Sequence, residues 1–434
     1  MFTDWIAFCF VKLSLMNDLL LVLYEIFVEE TYFMKMKFRA DENHTENLFQ
    51  NLYIFSLTLL FLKGYNFFYF WNLHVIIFLG LNLMSLFLLL FTSGKMILNI
   101  RNLLVMGFLI LIYFFISLGG YNVKGIVVNM LYGIVFFFFV MTPIDLKKKA
   151  LKQISVVYAA ILSVTLFFYF LIIILKIPFP YNHIVFNDGQ YEFNNYRILL
   201  ERVNGDYSAF FVRFNSLFLE PGHIGVVSAI LLAANNFDMK KKENKIILFC
   251  ALCTLSLATY ILLIFALAYK NMTRKRIKYL FVLLLILCVV FAYFTNKAEG
   301  FFYERIISRL VFEDGNIAGN NRVSSKFDSF YNKFFESSRK FLGYGAQYGE
   351  LNLGPAAGYK AYLVQFGIVG TVLVLVLYVI LCSSLNRNTL LLFLIWFLAF
   401  IQAAYPLTPT QFIVFCCGVE VTKNTKSMTY RGCR

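Results

Sequence analysis

From residue 5 to residue 421 the chain is a succession of apolar runs, most of them near the length of a helix that crosses a bilayer. They fall at approximately 5–28, 48–63, 67–91, 103–118, 123–141, 154–177, 217–235, 246–269, 277–294, 361–382, 389–405 and 409–421. A crossing helix needs about 20 apolar residues, within a range of roughly 17–25. Backbone groups in lipid find no water, so an open strand cannot span and a helix can. The sequence therefore predicts an all-α integral membrane protein, a bundle of about 10–12 transmembrane helices. Composition excludes a soluble alternative: 60% of residues are hydrophobic and 15% charged, against about 45–50% and about 25% in soluble domains. With 52 Phe, 27 Tyr and 3 Trp, a soluble fold would expose large apolar patches.

The net charge of +15 is explained by orientation. Short connections at 95–101, 147–152, 240–245 and 270–278 are basic, as is the tail 423–434, and Lys and Arg mark cytoplasmic loops. With Arg387 they hold 20 of the 39 basic residues, so the charge reads as topology and not as a nucleic-acid footprint. One conflict follows. The run 246–269 has basic clusters at both ends and must cross an even number of times, yet it is too short for two spans. A broken or re-entrant pair of half-helices turning near Thr254-Leu-Ser256 resolves this, because irregular backbone is tolerated where it lines a protein cavity. A single span that breaks the charge rule is the alternative.

This topology gives residues 1–177 as N-terminal transmembrane helices and 178–216 as a first large non-cytoplasmic segment. Residues 217–294 are central helices, 295–360 a second large segment, and 361–434 C-terminal helices with the basic tail. The second segment has nine basic and seven acidic residues. Loops longer than about 15 residues are usually functional or disordered. Phe330, Tyr331, Phe334, Phe335 and Phe341 argue against disorder, so the two segments are expected to form a folded external (periplasmic) cap. No cleavable signal peptide is apparent, and the first apolar run reads as a retained span. The cysteines avoid both segments, so a disulfide framework is not expected. Cys250 and Cys253 have C-x-x-C spacing, but their apolar setting favours a packing role.

Three constellations carry candidate chemistry. The first is Arg213-Phe-Asn215-Ser-Leu-Phe-Leu-Glu220-Pro221-Gly-His223-Ile-Gly225. Pro221 suits the first turn of a helix, which puts Glu220 at its mouth and His223 in its first turn. Ionisable groups at a membrane edge mark functional sites; the plainer reading is a dipole-capping carboxylate with Arg213 as an interfacial anchor. The second is Gly319-Asn-Asn321-Arg322-Val-Ser-Ser-Lys326, followed by Gly343-Tyr-Gly345. Arg322 offers a planar fork for phosphate and Lys326 a second charge one helical turn later; a solvated loop arginine is the plainer reading. The third runs from Gly354-Pro355 to Gly370, with Tyr359, Lys360 and Gln365 as polar groups and Gly367 and Gly370 permitting close helix packing.

In this order the segments resemble bacterial O-antigen polymerases of the Wzy type. Arg213 through Glu220-Pro221 is similar to that family's Arg…Glu-Pro signature. Thr254-Leu-Ser256-Leu-Ala-Thr259-Tyr260 looks like its Thr-Leu-Ser segment, Asn321-Arg322 with Gly343 and Gly345 like its large-loop pattern, and Gln365-Phe-Gly367-Ile-Val-Gly370 like its return helix. The likeness covers about residues 195–375 in detail and the rest by topology. Related O-antigen ligases often carry a His-Asn pair before the return helix; Gly354 to Tyr359 contains no histidine, which favours polymerase.

The resemblance implies block transfer of a glycan from undecaprenyl diphosphate to a lipid-linked repeat unit, at the periplasmic face of the inner membrane. It implies Glu220 or His223 as general base, and Arg213, Arg322 and Lys326 as diphosphate ligands. Asn215, Gly343, Gly345, Tyr359 and Lys360 become substrate-loop residues. No cofactor is implied, and no carboxylate cluster suggests a metal. The expected partners are undecaprenyl-diphosphate-linked glycans, the lipid bilayer, a chain-length regulator and a flippase of the same pathway; nucleic acid is not among them. An O-antigen ligase or a capsular polymerase would share these features. A lipid-linked oligosaccharide flippase would not need segments of such length.

Overall fold

The computed structural model describes residues 43–93, 96–117, 119, 123–186, 191–203, 213–271, 312–313, 316–317, 323–354, 356, 358–382, 386–403 and 405–423. The sequence-predicted spans 5–28 and 277–294, and Arg322, lie outside these residues. The chain divides into two compact units, 1–48 and 49–434; only 43–48 of the first are described, and they open helix α1.

Helices dominate. They are α1 (Asn43–Gly64), α2 (Val75–Ser93), α3 (Ile100–Ser117), α4 (Val123–Met141) and α5 (Ile144–Tyr169), the last extended by a π-helical turn Phe170–Ile174. After residue 200 come α6 (Pro221–Ala234), α7 (Lys242–Cys253), α8 (Leu257–Asn271), α9 (Ser325–Phe334), α10 (Gly358–Leu381), α11 (Arg387–Gln402) and α12 (Pro409–Lys423). Among the described residues, five helices are long and apolar enough to cross a membrane: α2, α3, α4, α5 with its π turn, and α10. The protein is a multi-pass membrane protein.

Several boundaries differ from the sequence reading. The run 67–91 is not one helix: a short 3-10 turn, Phe68–Phe70, precedes α2. The chain turns at Asn66, whose φ is 53°, and Trp71 Nε1 closes the turn onto the Asn66 carbonyl at 2.8 Å. Helix α5 begins well before residue 154, and Lys147 reaches back to the Val140 carbonyl at 2.6 Å. The run 217–235 becomes helical only at Pro221, because Ser216 stands at φ 51°.

The fold is also not purely helical. Residues Asn182–Phe186, Tyr191–Asn195 and Leu200–Arg202 form a three-stranded antiparallel sheet, β1-β2-β3, with His183 opposite Asn194 and Phe193 opposite Arg202. Polar residues throughout this segment hid the strands from a reading tuned to apolar runs. The sheet rests on the α1–α2 connection: the Trp71 ring lies 4.2 Å from that of Phe186, and the Tyr69 hydroxyl donates to the Arg197 carbonyl at 2.7 Å. A two-residue ladder, β4 (Phe312–Glu313) with β5 (Asn316–Ile317), precedes α9.

Two short helices, α6 and α12, form the centre of the bundle and are buried on almost every side. A helix apolar all round belongs in an interior. They meet at Ala234 and Gly418, where an added Cβ on the glycine would come 2.6 Å from Ala234 Cβ, so only a small residue allows the approach.

Around α6 the segment 242–271 folds as a helical hairpin. It breaks at 254–256, with Leu255 at φ 48° and Thr254 and Ser256 buried. Its two ends converge on one place: Lys241 Nζ donates to Asn235 Oδ1 at 3.2 Å, and Lys270 Nζ to the Asn236 carbonyl at 2.7 Å. Lys241 and Lys270, one from each end of the run that conflicted on a single-span reading, thus bond to adjacent residues. Cys250 is buried in this hairpin, and both Cys250 and Cys253 are free thiols.

Candidate active site

At the other end of α6 lies a cavity of about 970 Å³. Its wall is built from the N-terminal turns of α6, α10 and α12, the end of α1, the Tyr191 strand, and tyrosines 113, 132, 348, 362 and 405. Pro221 fixes where α6 starts, because its missing N–H costs nothing in a first turn. Glu220 is then the last extended residue, at φ −143° and ψ 141°, and its side chain does not cap the helix.

The carboxylate is used elsewhere. Glu220 Oε1 accepts from the Tyr191 hydroxyl at 2.6 Å, and Oε2 lies 3.7 Å from His223 Nε2. Both side chains are half-buried. The His223 ring meets Tyr405 edge to face, with centroids 5.7 Å apart. Tyr191 is held from two sides, since the Arg202 guanidinium lies over its ring at 4.9 Å. Burial, followed by the Glu220 carboxylate, holds the Tyr191 phenol well above its ordinary range, so it remains a donor. Burial and Glu220 also push the Tyr405 phenol up. The arrangement is a carboxylate–imidazole pair facing a cavity rich in phenols and side-chain amides, which suits proton transfer to or from a polyhydroxylated ligand.

Of the residues chosen from sequence, Glu220, His223 and Gln365 line this cavity, whereas Arg213, Asn215, Lys326, Gly343, Gly345, Tyr359 and Lys360 do not. Arg213 Nε donates to the Thr254 carbonyl at 3.0 Å, at the tip of the 242–271 hairpin. Asn215 is buried, with neither amide atom hydrogen-bonded among the described residues. Lys326 Nζ donates to the Asn352 carbonyl at 2.8 Å. It belongs to α9, which starts at Ser325 with the Ser324 side chain capping it. Lys360 pairs with Asp328 at 2.8 Å and lies over the Tyr331 ring. Its neighbour Tyr359 is half-buried beside it.

Gly343 and Gly345, expected in a substrate loop, instead pack backbone on backbone. Both have positive φ, 75° and 55°. A side chain on Gly343 would strike the Gln365 carbonyl, and one on Gly345 the Gly119 carbonyl. Helix α10 is broken at Gly367, at φ 67° and ψ −177°. The 341–344 loop takes up the released backbone groups: Tyr344 N donates to the Val364 carbonyl at 2.9 Å and Val369 N to the Phe341 carbonyl at 3.1 Å. Such breaks are tolerated in membrane helices when neighbours satisfy the freed groups. The same loop region closes over a core of Phe327, Phe334, Leu353 and Val364, so this part of 295–360 is folded.

Sequence reasoning missed Tyr191, Tyr405, Tyr348 and Lys63. Each is ordinary in its local context, and only the fold brings them to one wall. Among the described residues, no three His, Cys, Asp or Glu side chains come together in a way that would hold a metal. Comparison with family models, curated proteins and solved structures returns no match.

Proposed function

We propose that the protein is an O-antigen polymerase of the Wzy type. It would transfer a growing glycan from undecaprenyl diphosphate to a lipid-linked repeat unit, at the periplasmic face of a bacterial inner membrane. The observation that carries the reading is the Glu220–His223 pair at the mouth of α6, opening on a large cavity walled by tyrosines and amides. Aromatic faces and amide groups suit sugar rings, and an apolar bundle around the cavity suits a polyprenyl tail.

In this reaction the acceptor hydroxyl oxygen attacks the anomeric carbon of the donor glycan. The carbon–oxygen bond to the diphosphate breaks, the diphosphate leaves with the electron pair, and the hydroxyl proton passes to the Glu220–His223 pair. Tyr191 holds one carboxylate oxygen, which turns the other toward His223 and the cavity. The leaving diphosphate needs positive charge. Arg213 and Arg322 are the candidates drawn from the sequence motif.

The full topology of 10–12 spans and a periplasmic cap formed by 178–216 and 295–360 belong to the same proposal. Glycolipids from a deletion strain test it. Single repeat units on lipid core are expected. Untransferred long chains would indicate a ligase, and units left facing the cytoplasm a flippase. Glu220→Ala is expected to abolish polymer while the protein still inserts; polymer of normal length in that variant would remove Glu220 from the mechanism.

A further inference from the structure

Lys63 ends the apolar run of α1 and is half-buried. It lines the cavity, and it is the only Lys or Arg among the described wall residues. Its Nζ donates to the Phe70 carbonyl at 2.8 Å, and the other two of its three N–H groups have no partner among the described residues. It shares the wall with Glu220 but does not pair with it. A cation partly removed from water without a carboxylate partner calls for an anion.

The surroundings of Lys63 fit that demand. Next to it, a Cβ on Gly64 would come 3.0 Å from both Pro409 Cδ and Thr410 Oγ1, and Thr410 Oγ1 donates to the Phe61 carbonyl at 2.9 Å. These contacts fix the end of α1 against the first turn of α12. In the first turn of α12 one N–H, that of Thr410, has no partner among the described residues, because Pro409 has none and Gln411 N and Phe412 N donate to the Thr408 carbonyl; the positive end of the helix dipole adds to the pull on an anion there. Further along the wall, two donors have no partner among the described residues, the Tyr113 hydroxyl and Asn129 Nδ2. Tyr113 is 7% exposed. Its phenol lies among those of Tyr132 and Tyr362, which also face the cavity.

We propose that Lys63 and the first turn of α12 form a phosphoryl-binding subsite, with Tyr113 as an auxiliary donor, that holds the diphosphate of the prenyl-linked donor. The inference rests on the transferase reading above. It puts a cation on the cavity wall that the Glu220–His223 pair also lines.

The test is direct binding to the full-length protein in detergent, with farnesyl diphosphate as the lipid probe, inorganic pyrophosphate as the free anion and farnesol as the uncharged tail. Wild type is expected to bind farnesyl diphosphate. Lys63→Met should weaken it tenfold or more, and Lys63→Arg should stay within about threefold, the usual difference between losing and keeping a charged hydrogen-bond partner. Farnesol affinity should not change in either variant, which separates loss of the subsite from loss of fold. Tighter binding of farnesyl diphosphate than of pyrophosphate marks a lipid-linked source; equal binding marks a free-phosphate source and overturns the lipid assignment. Equal farnesyl diphosphate affinity in wild type and Lys63→Met, or no binding in wild type, overturns the subsite. Normal polymer in the deletion strain would instead overturn the polymerase reading and leave a measured Lys63 effect standing.

Discussion

The Tyr191 hydroxyl donates to Glu220 Oε1 at 2.6 Å, and this bond ties the middle strand of the sheet to the first residue before α6. It orients the carboxylate at the cavity and docks the 178–216 segment on the bundle. Removing the hydroxyl leaves the ring under Arg202 and takes this donor away from Oε1. A hydrogen bond to a charged group contributes about 1.5–3 kcal/mol. Tyr191→Phe is therefore expected to lower polymer synthesis by about 10- to 100-fold with normal insertion, read from the ladder of glycan lengths on a gel. A wild-type ladder would mean that the bond does not orient the reacting oxygen.

The same bond predicts a pH dependence. Burial and Glu220 raise the Tyr191 phenol above its ordinary value, which is near 10. A group raised on folding stabilises the folded state fully below its unfolded value and loses that contribution as pH rises through the folded one. The difference in melting temperature between wild type and Tyr191→Phe should accordingly be constant from about pH 7 to about pH 9.5. A difference that fades within that interval would show that the phenol ionises there and contradict the assignment.

Gly343 and Gly367 face each other where the 341–344 loop enters the break in α10. Each stands at positive φ, and a side chain on either would meet the carbonyl of the opposite segment. Backbone must move to accept a methyl, at a cost of about 2 kcal/mol or more. Gly343→Ala and Gly367→Ala should each lower the melting temperature and the yield of monodisperse protein in detergent. Gly349→Ala, where nothing lies within 4 Å of the added methyl, serves as the control and should behave as wild type. Unchanged melting in both test variants would show that the loop can detach from the helix.

The hairpin 242–271 makes a topological prediction. Because Lys241 reaches Asn235 and Lys270 reaches the next residue, Asn236, its two ends are expected on one side of the membrane. In a cysteine-free background, Lys240→Cys and Lys270→Cys should react with an impermeant maleimide from the same face of oriented vesicles. Labelling from opposite faces would restore the single span.

Glu220 and His223 were legible in the sequence because they share one helix start with Pro221, and a proline at that position announces the turn. The hairpin break was legible because two basic clusters, which belong on one side, flank a run too short for two crossings. Tyr191 and Tyr405 were not. They come from a polar strand and from the short connection before α12, and neither segment has a local pattern that points to a cavity. Lys63 reads as an interfacial anchor like any lysine that closes an apolar run; only the apposition of Gly64 with Pro409 reveals what it faces. Gly343 and Gly345 were legible only in part. Glycine permits close approach to a ligand or to another backbone, and the sequence does not say which.

All the α10 residues in the cavity wall, from Gly358 to Phe366, precede the break at Gly367, and the remainder of the helix runs on into the apolar bundle. The helix is thus divided into a jamb and a post. The jamb is fastened to the 341–344 loop, so a change at the cavity wall reaches the apolar helices through loop backbone as well as along the helix.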